Sequence, residues 1–154
     1  MAETKYGKYI LTEPLAKAWS LTPPPERPPG EATKRMPLMR INSNLIETIG
    51  IDFQFVGTTK PWDPAQTGHP SHTHSVDEYI FFVGGNAENI LDFGAEIEIT
   101  LGAGEDEEKH IINKACVVYV PAGLPHLPMT FKKVDKPVLW GHLLMAPDYE
   151  ETRP

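Results

Sequence analysis

Three histidines and one glutamate have the residue types and the spacing of a metal site. His72 and His74 are two residues apart, Glu78 follows four residues later, and His126 ends the segment PAGLPH at 121–126. Imidazole nitrogens and carboxylate oxygens are the donors that proteins offer to first-row divalent metal ions. We therefore take these four side chains as the candidate ligands of one ion.

The spacing of these residues sets conditions on the local structure. Side chains at i and i+2 of a strand point to the same face, so the imidazoles of His72 and His74 can reach one ion from a regular strand. Glu78 has the same parity, but on a straight strand it would lie about 13 Å beyond His74, at roughly 3.3 Å per residue. The chain must therefore bend, or the strand must break, at Ser75–Val76. His126 must close the site from a neighbouring strand.

The donor set indicates which metals fit. Three neutral imidazoles and one carboxylate leave a divalent ion with a net charge of about +1. Iron, manganese, cobalt or nickel in octahedral geometry would keep two positions open beside four protein ligands. Open positions are typical of catalytic metal sites, whereas structural sites are closed.

The rest of the chain predicts an all-β fold. The 16 prolines disfavour helices, since proline is costly in helix interiors. Short apolar or alternating runs separated by turns are typical of a sandwich or barrel. The acidic segment 102–110 is expected to be a solvated hairpin tip. The predicted strands are 36–41, 49–55, 79–83, 95–101, 111–112, 116–120 and 138–145.

The 154 residues fit one domain with two extensions. Residues 1–35 form an N-terminal arm, with a possible short helix and a stiff proline-rich strap at 22–30. This strap is either a surface strap, which we favour, or an arm that reaches over a second subunit. Residues 36–146 form the β-barrel, and residues 147–154 form a C-terminal tail that is expected to fray.

Two motifs resemble those of the cupin superfamily. His72, His74, Glu78 and the following Gly85 resemble the first cupin motif, and the segment 121–126 resembles the second. The resemblance covers residues 68–126. It implies a double-stranded β-helix, or jelly-roll, barrel that is often dimeric, with the three histidines and the glutamate as metal ligands. It also implies the bend before the glutamate.

The motifs depart from the family pattern at three positions. Gln66 stands where the first motif has glycine, and Ala115 and Thr130 stand where the second has glycine and asparagine. None of the three is a ligand, so the ligand set is unaffected and only the loop shapes change.

Four further polar side chains are candidates for binding a substrate. Arg40 and Gln54 lie on predicted strands and could orient it, with Arg40 holding a carboxylate bidentately. The Tyr79 hydroxyl could donate to a ligand, and His142 could face the barrel cavity. The alternatives are a surface arginine, a packed tyrosine and a satisfied core histidine.

These features indicate a metal-dependent enzyme acting on a small organic acid, an enol or an aromatic compound. A dioxygenase is favoured over a decarboxylase or isomerase, with iron or manganese favoured over nickel, cobalt or zinc. The alternative is a non-catalytic cupin that binds a sugar or small acid, since the barrel aromatics suit a hydrophobic pocket. A weaker alternative is a structural metal in an interaction domain. The aromatics in question are Phe53, Phe55, Phe81, Phe82 and Trp140.

Composition excludes several other classes. The net charge of −7 argues against nucleic acid as a partner. No apolar run reaches membrane-spanning length. Cys116 is the single cysteine, so no disulfide can form within the chain. We therefore expect a cytoplasmic protein, a homodimer by the resemblance, that binds a small molecule.

Overall fold

The computed structural model describes residues 35–61 and 70–153, and only the backbone of residues 35–39. The arm predicted at 1–35 lies almost wholly outside the described residues. Within them, no helix is long and apolar enough to cross a membrane. In the described residues, a short 3-10 turn, Gly104–Asp106, lies in the acidic hairpin. The strands are β1 (Arg35–Ile41), β2 (Asp52–Thr58), β3 (Glu78–Gly84), β4 (Ala95–Leu101), β5 (Glu108–Ile112), β6 (Cys116–Val120), β7 (His126–Val134) and β8 (Val138–Leu144).

The strands form two antiparallel sheets, which confirms the all-β prediction. The larger sheet has the order β1-β2-β8-β3-β6, and the smaller has the order β5-β4-β7. Apolar side chains from both sheets fill the space between them and form one buried cluster. Burying each such side chain contributes roughly 1.5–3 kcal/mol. The largest fully buried members are Phe82, Phe131, Ile97 and Ile99.

The sequence predicted seven of these strands, β4 and β6 with the observed bounds, and missed β7. The inward residues of β7 are His126, Met129 and Phe131, so they do not alternate with period two. The register with β4 shifts twice along this strand. Bulges of this kind insert an extra residue and hide the alternation that identifies a strand.

The inner and outer faces of the larger sheet differ from the expected ones. In the first part of β2, Asp52, Gln54 and Val56 are buried, whereas Phe53 and Phe55 are half-buried. The rings of Phe53, Phe55 and Phe81 stack on one another on the outer face, with centroids 5.4–6.3 Å apart. The prediction that these three aromatics line a pocket is therefore wrong, because alternation turns polar residues inward.

The C-terminal tail is packed, so the expectation that it frays is wrong. We call residues 147–153 the C-terminal strap. Its Pro147 carbonyl accepts a hydrogen bond from the Ser43 amide at 2.9 Å. Thr152 pairs with Thr73 through two backbone hydrogen bonds of 2.9 Å. The strap thus lies against the segment that carries the histidines.

Gly141 of β8 lies between Phe55 and Phe81 on the neighbouring strands, and we expect that this position does not tolerate a side chain. A Cβ there would lie 1.9 Å from the Gln54 carbonyl oxygen and 2.6 Å from the Phe81 ring. Gly141→Ala is therefore expected to lower the free energy of unfolding in urea by about 1–3 kcal/mol, as overpacking does. Gly50→Ala is the control, because its Cβ meets nothing within 4 Å. Equal stability of the two variants would contradict this packing.

Candidate metal centre

The break that Glu78 requires is present. The backbone bends at Ser75 and Val76, and β3 begins only at Glu78. Asp77 holds this bend, because its carboxylate accepts hydrogen bonds from the Tyr119 hydroxyl at 3.1 Å and the Ala122 amide at 3.0 Å. The glutamate is thereby brought back beside the two histidines instead of lying a strand length away.

The two histidine-bearing segments are joined by their backbones. His72 and His126 exchange two hydrogen bonds, of 3.1 and 3.0 Å, as an isolated antiparallel bridge. The Gly123 amide also donates to the His74 carbonyl at 2.8 Å. Gly123 has a φ of +81°, which glycine adopts without strain. The turn at 121–125 thus places His126 directly opposite His72.

Each histidine ring is oriented by a backbone carbonyl that accepts a hydrogen bond from its Nδ1–H. The acceptors are Pro70 for His72 at 2.9 Å, Leu124 for His126 at 3.1 Å, and Glu150 of the C-terminal strap for His74. A carbonyl can only accept, so each Nδ1 carries the proton and each Nε2 keeps a lone pair. This outer hydrogen bond is the usual way in which proteins fix metal-binding histidines.

The four side chains predicted as ligands lie together and are buried. The donor atoms of His72, His74 and His126 lie within 4.8 Å of one another, an arrangement that could hold a metal ion. Glu78 Oε2 lies 2.9 Å from His126 Nε2 and 3.7 Å from His74 Nε2. Two ligands at right angles, each about 2.1 Å from an ion, are roughly 3 Å apart. The four residues are only 1–4% exposed.

Two buried atoms of this cluster lack the hydrogen bonds that burial normally requires. Among the described residues, neither His74 Nε2 nor Glu78 Oε2 has a hydrogen-bond partner. Leaving buried polar atoms unsatisfied costs about 1–3 kcal/mol each. The two atoms lie 3.7 Å apart and Glu78 Oε2 is 2.9 Å from His126 Nε2, so a bound cation would satisfy them together.

The electrostatics suit a cation. Burial alone would raise the pKa of Glu78, but contact with His126, together with the other nearby histidines, outweighs this and brings that pKa below its usual value. The carboxylate is therefore ionised at neutral pH. Burial lowers the pKa of His72, which keeps its imidazole neutral and able to bind a metal.

No family model matches the sequence, and no curated protein matches it significantly. Solved structures do match. An oxalate oxidase in complex with the substrate analogue glycolate matches with a TM-score of 0.51 and 12% identity, over 78% of this chain and 55% of that chain. The oxalate decarboxylase of Bacillus subtilis, at pH 4.6, matches with a TM-score of 0.51 and 15% identity, over 73% and 26%. Both are cupins.

The chain has a cupin fold. The resemblance that the two motifs carry is thus confirmed at the level of fold, together with the jelly-roll architecture. The chain spans about half the length of the oxalate oxidase and about a quarter of that of the oxalate decarboxylase.

Three of the four predicted substrate-binding residues lie on the inner face of the cupin barrel. Arg40, Gln54 and His142 are aligned across β1, β2 and β8. Arg40 binds the buried Asp52 through Nε at 3.3 Å and Nη2 at 2.6 Å. These two nitrogens are therefore engaged by the protein, and sequence reasoning had not singled out Asp52.

His142 connects this pair to the histidine cluster. Its Nε2 lies 3.5 Å from Asp52 Oδ1, and its Nδ1 lies 3.8 Å from Glu78 Oε1. Burial raises the pKa of Asp52, but contacts with His142 and Arg40 outweigh this, so the pKa lies below its usual value. The cupin barrel thus buries two ionised carboxylates on one face, each beside cationic or polar partners.

Tyr79 does not face the cavity. It alternates with the inward residues Glu78 and Ile80, and its ring packs against Tyr119 on the outer face at 5.3 Å. The expectation that its hydroxyl reaches a ligand in the barrel is therefore corrected.

A different tyrosine, which sequence reasoning missed, lies at the cluster. The hydroxyl of Tyr149, in the C-terminal strap, lies 3.0 Å from His72 Nε2 and donates to Glu151 Oε2 at 3.1 Å. Burial and the charges of Glu151 and Glu78 raise the pKa of Tyr149. Only the position of this tyrosine after the last strand, in the sequence Asp-Tyr-Glu-Glu, could have drawn attention to it.

Asp52→Asn is expected to lower stability near neutral pH and to flatten its loss in acid. Because the folded pKa of Asp52 is lowered, its carboxylate stabilises the fold above the unfolded pKa of about 3.9. That stabilisation disappears as the pH falls through the folded value. Urea unfolding across this range measures the effect, with the exposed Asp135→Asn as control. An equally steep loss of unfolding free energy in Asp52→Asn and wild type would contradict it.

Proposed function

We propose that this cupin-fold chain binds one first-row divalent metal ion through His72, His74, Glu78 and His126. The observation that carries the proposal is the common orientation of the three imidazoles. Each Nδ1 is bound to a carbonyl, and the three Nε2 lone pairs converge beside the unsatisfied carboxylate oxygen of Glu78. A core histidine that merely packs has no need of this arrangement.

The metal that we propose is iron or manganese, with nickel, cobalt and zinc as weaker candidates. Three nitrogen donors and one carboxylate suit these ions. Structural zinc sites more often have sulfur ligands, and their four coordination positions are all filled by protein. The Bacillus subtilis oxalate decarboxylase has Mn(II) centres. The fold that it shares with this chain supports manganese as a candidate.

The activity that we propose is that of a metal-dependent enzyme, favouring a dioxygenase over a decarboxylase or isomerase. A divalent ion bound here would supply open positions for the oxygen atoms of a substrate and for dioxygen. The substrate class is a small organic acid, enol or aromatic compound. Oxalate, the compound named for the similar solved structures, is one such acid.

The inner face would do three things for such a reaction. Ionised Glu78 offsets the charge of the ion. His142, whose Nδ1 lies 3.8 Å from Glu78 Oε1, would place a polar group beside that carboxylate. Gln54, which is 7% exposed on the same face, offers an amide that could orient a bound acid. The Arg40–Asp52 pair lies beside these residues, and the Arg40 guanidinium is already bound to Asp52, so it is not free to bind a substrate carboxylate bidentately.

We also propose a homodimer in the cytoplasm. The outer face of the larger sheet supports the dimer, because it carries the stacked rings of Phe53, Phe55 and Phe81 beside exposed Val117 and Tyr119. Contiguous apolar surface of this kind commonly marks a protein interface. A second copy of the chain, packed face to face, would cover it.

Metal content tests the site directly. Purified wild-type chain is expected to hold about one first-row divalent ion, and His72→Ala is expected to lose it. Affinity should fall about 100-fold or more, since loss of even an outer partner of a ligand costs roughly 10- to 100-fold. His110→Ala is the matched control, because His110 is exposed beside Glu108. Equal metal content in the two variants would refute the assignment.

Oxygen consumption separates the enzyme from a binding protein. Metal-loaded chain is expected to consume oxygen or form product with at least one member of a panel of small acids, enols and catechols, and His126→Ala is expected not to. If a compound raises the melting temperature but is not turned over, the non-catalytic alternative of a sugar- or acid-binding cupin is favoured instead.

A further inference from the structure

We propose that Tyr149 is a fifth protein ligand of the metal ion, binding through its phenol oxygen. The proposal rests on the metal site proposed above, and it deepens that site by adding a residue from outside both sequence motifs. Its consequence is that the C-terminal strap, and not the barrel alone, supplies a ligand to the ion.

The position of the hydroxyl carries the proposal. Tyr149 Oη lies 3.0 Å from His72 Nε2, the nitrogen that faces the cluster. Two ligands at right angles around one ion lie roughly 3 Å apart when each bond is about 2.1 Å long. The Tyr149 ring is also close to two other imidazoles, with centroids 5.1 Å from His74 and 5.6 Å from His142.

The Tyr149 hydroxyl has one hydrogen but lies beside two hydrogen-bond acceptors. His72 Nδ1 uses its proton on the Pro70 carbonyl, so His72 Nε2 is an acceptor. Tyr149 has one hydroxyl hydrogen for two acceptors, His72 Nε2 and Glu151 Oε2. If it serves Glu151, two lone pairs face each other 3.0 Å apart. A cation shared by the oxygen and the nitrogen resolves this.

The strap holds Tyr149 firmly over the cluster from both sides. On one side, the Asp148 carboxylate accepts a hydrogen bond from the Ser43 hydroxyl. On the other, the Glu150 carbonyl accepts the hydrogen bond from His74 Nδ1. The same short segment therefore orients one proposed ligand, His74, and delivers another.

Coordination by Tyr149 changes what the site can accept. The O–H bond is replaced by a metal–oxygen bond, and the proton leaves by way of Glu151, whose carboxylate already accepts the hydrogen bond at 3.1 Å. Three imidazoles, one carboxylate and one phenolate leave a single open position on an octahedral ion. Such a site binds one external donor atom at a time while Tyr149 is coordinated, so the two open positions that the proposed enzyme uses exist only when the phenol oxygen has left the ion.

Loading with Fe(III) tests this, because phenolate bound to Fe(III) gives a visible charge-transfer band and enhanced tyrosinate ring modes in resonance Raman spectra. Imidazole and carboxylate ligands give neither. Wild-type chain loaded with Fe(III) is expected to show both signals, and Tyr149→Phe is expected to lose both while still binding iron. Tyr79→Phe is the matched control and should keep both, because Tyr79 lies on the outer face.

Iron content, measured on each sample, separates the two proposals. About one iron per wild-type chain without tyrosinate modes would overturn the role of Tyr149 and leave the metal site standing. Tyrosinate modes that persist in Tyr149→Phe would also overturn it. Failure of the wild-type chain to bind iron or any other first-row ion would overturn both. Should Tyr149→Phe fold poorly, absence of tyrosinate modes from iron-loaded wild-type chain still overturns the role of Tyr149.

Discussion

The site depends on three hydrogen bonds in which a histidine Nδ1–H donates to a backbone carbonyl. The carbonyls belong to three separate segments: Pro70 before the first motif, Leu124 in the turn of the second, and Glu150 in the C-terminal strap. Each bond fixes a tautomer and a ring plane, so three lone pairs face one point. Because one of the carbonyls comes from the strap, the orientation of the His74 ring depends on the C-terminal strap being in place.

The polar residues around this cluster reduce the folding free energy that the larger sheet contributes. Its inner face carries Asp52, Glu78 and Arg40 where a barrel core would normally be apolar, and burying charges is expensive unless they are paired. The Arg40–Asp52 pair and the neighbouring His142 compensate for part of this cost. Glu78 is left with an unsatisfied oxygen. Phe53, Phe55 and Phe81, which would suit an apolar core, lie on the outer face instead.

The all-β class and the shared face of His72 and His74 could be predicted from local spacing, whereas the jelly-roll architecture and the place of His126 in the cluster were implied by the resemblance of the two motifs. Parity placed His72 and His74 on one face and required the break before Glu78. Strand β7 could not be predicted from alternation because its two register shifts hide the period. The inward position of Asp52 was missed for a related reason, since its apolar neighbours in β2 implied the opposite face. Tyr149 reaches the cluster through tertiary contacts of the strap, which no local pattern encodes.

The most direct test of a shared metal site is a crystal structure of the chain with data collected at the absorption edge of the metal that it holds. A shared metal site predicts one anomalous peak per chain, about 2.0–2.3 Å from the Nε2 atoms of His72, His74 and His126 and from a carboxylate oxygen of Glu78. A cluster without such a peak in metal-loaded crystals, with these nitrogens hydrogen-bonded to water, would contradict it. So would a peak that is coordinated by other side chains.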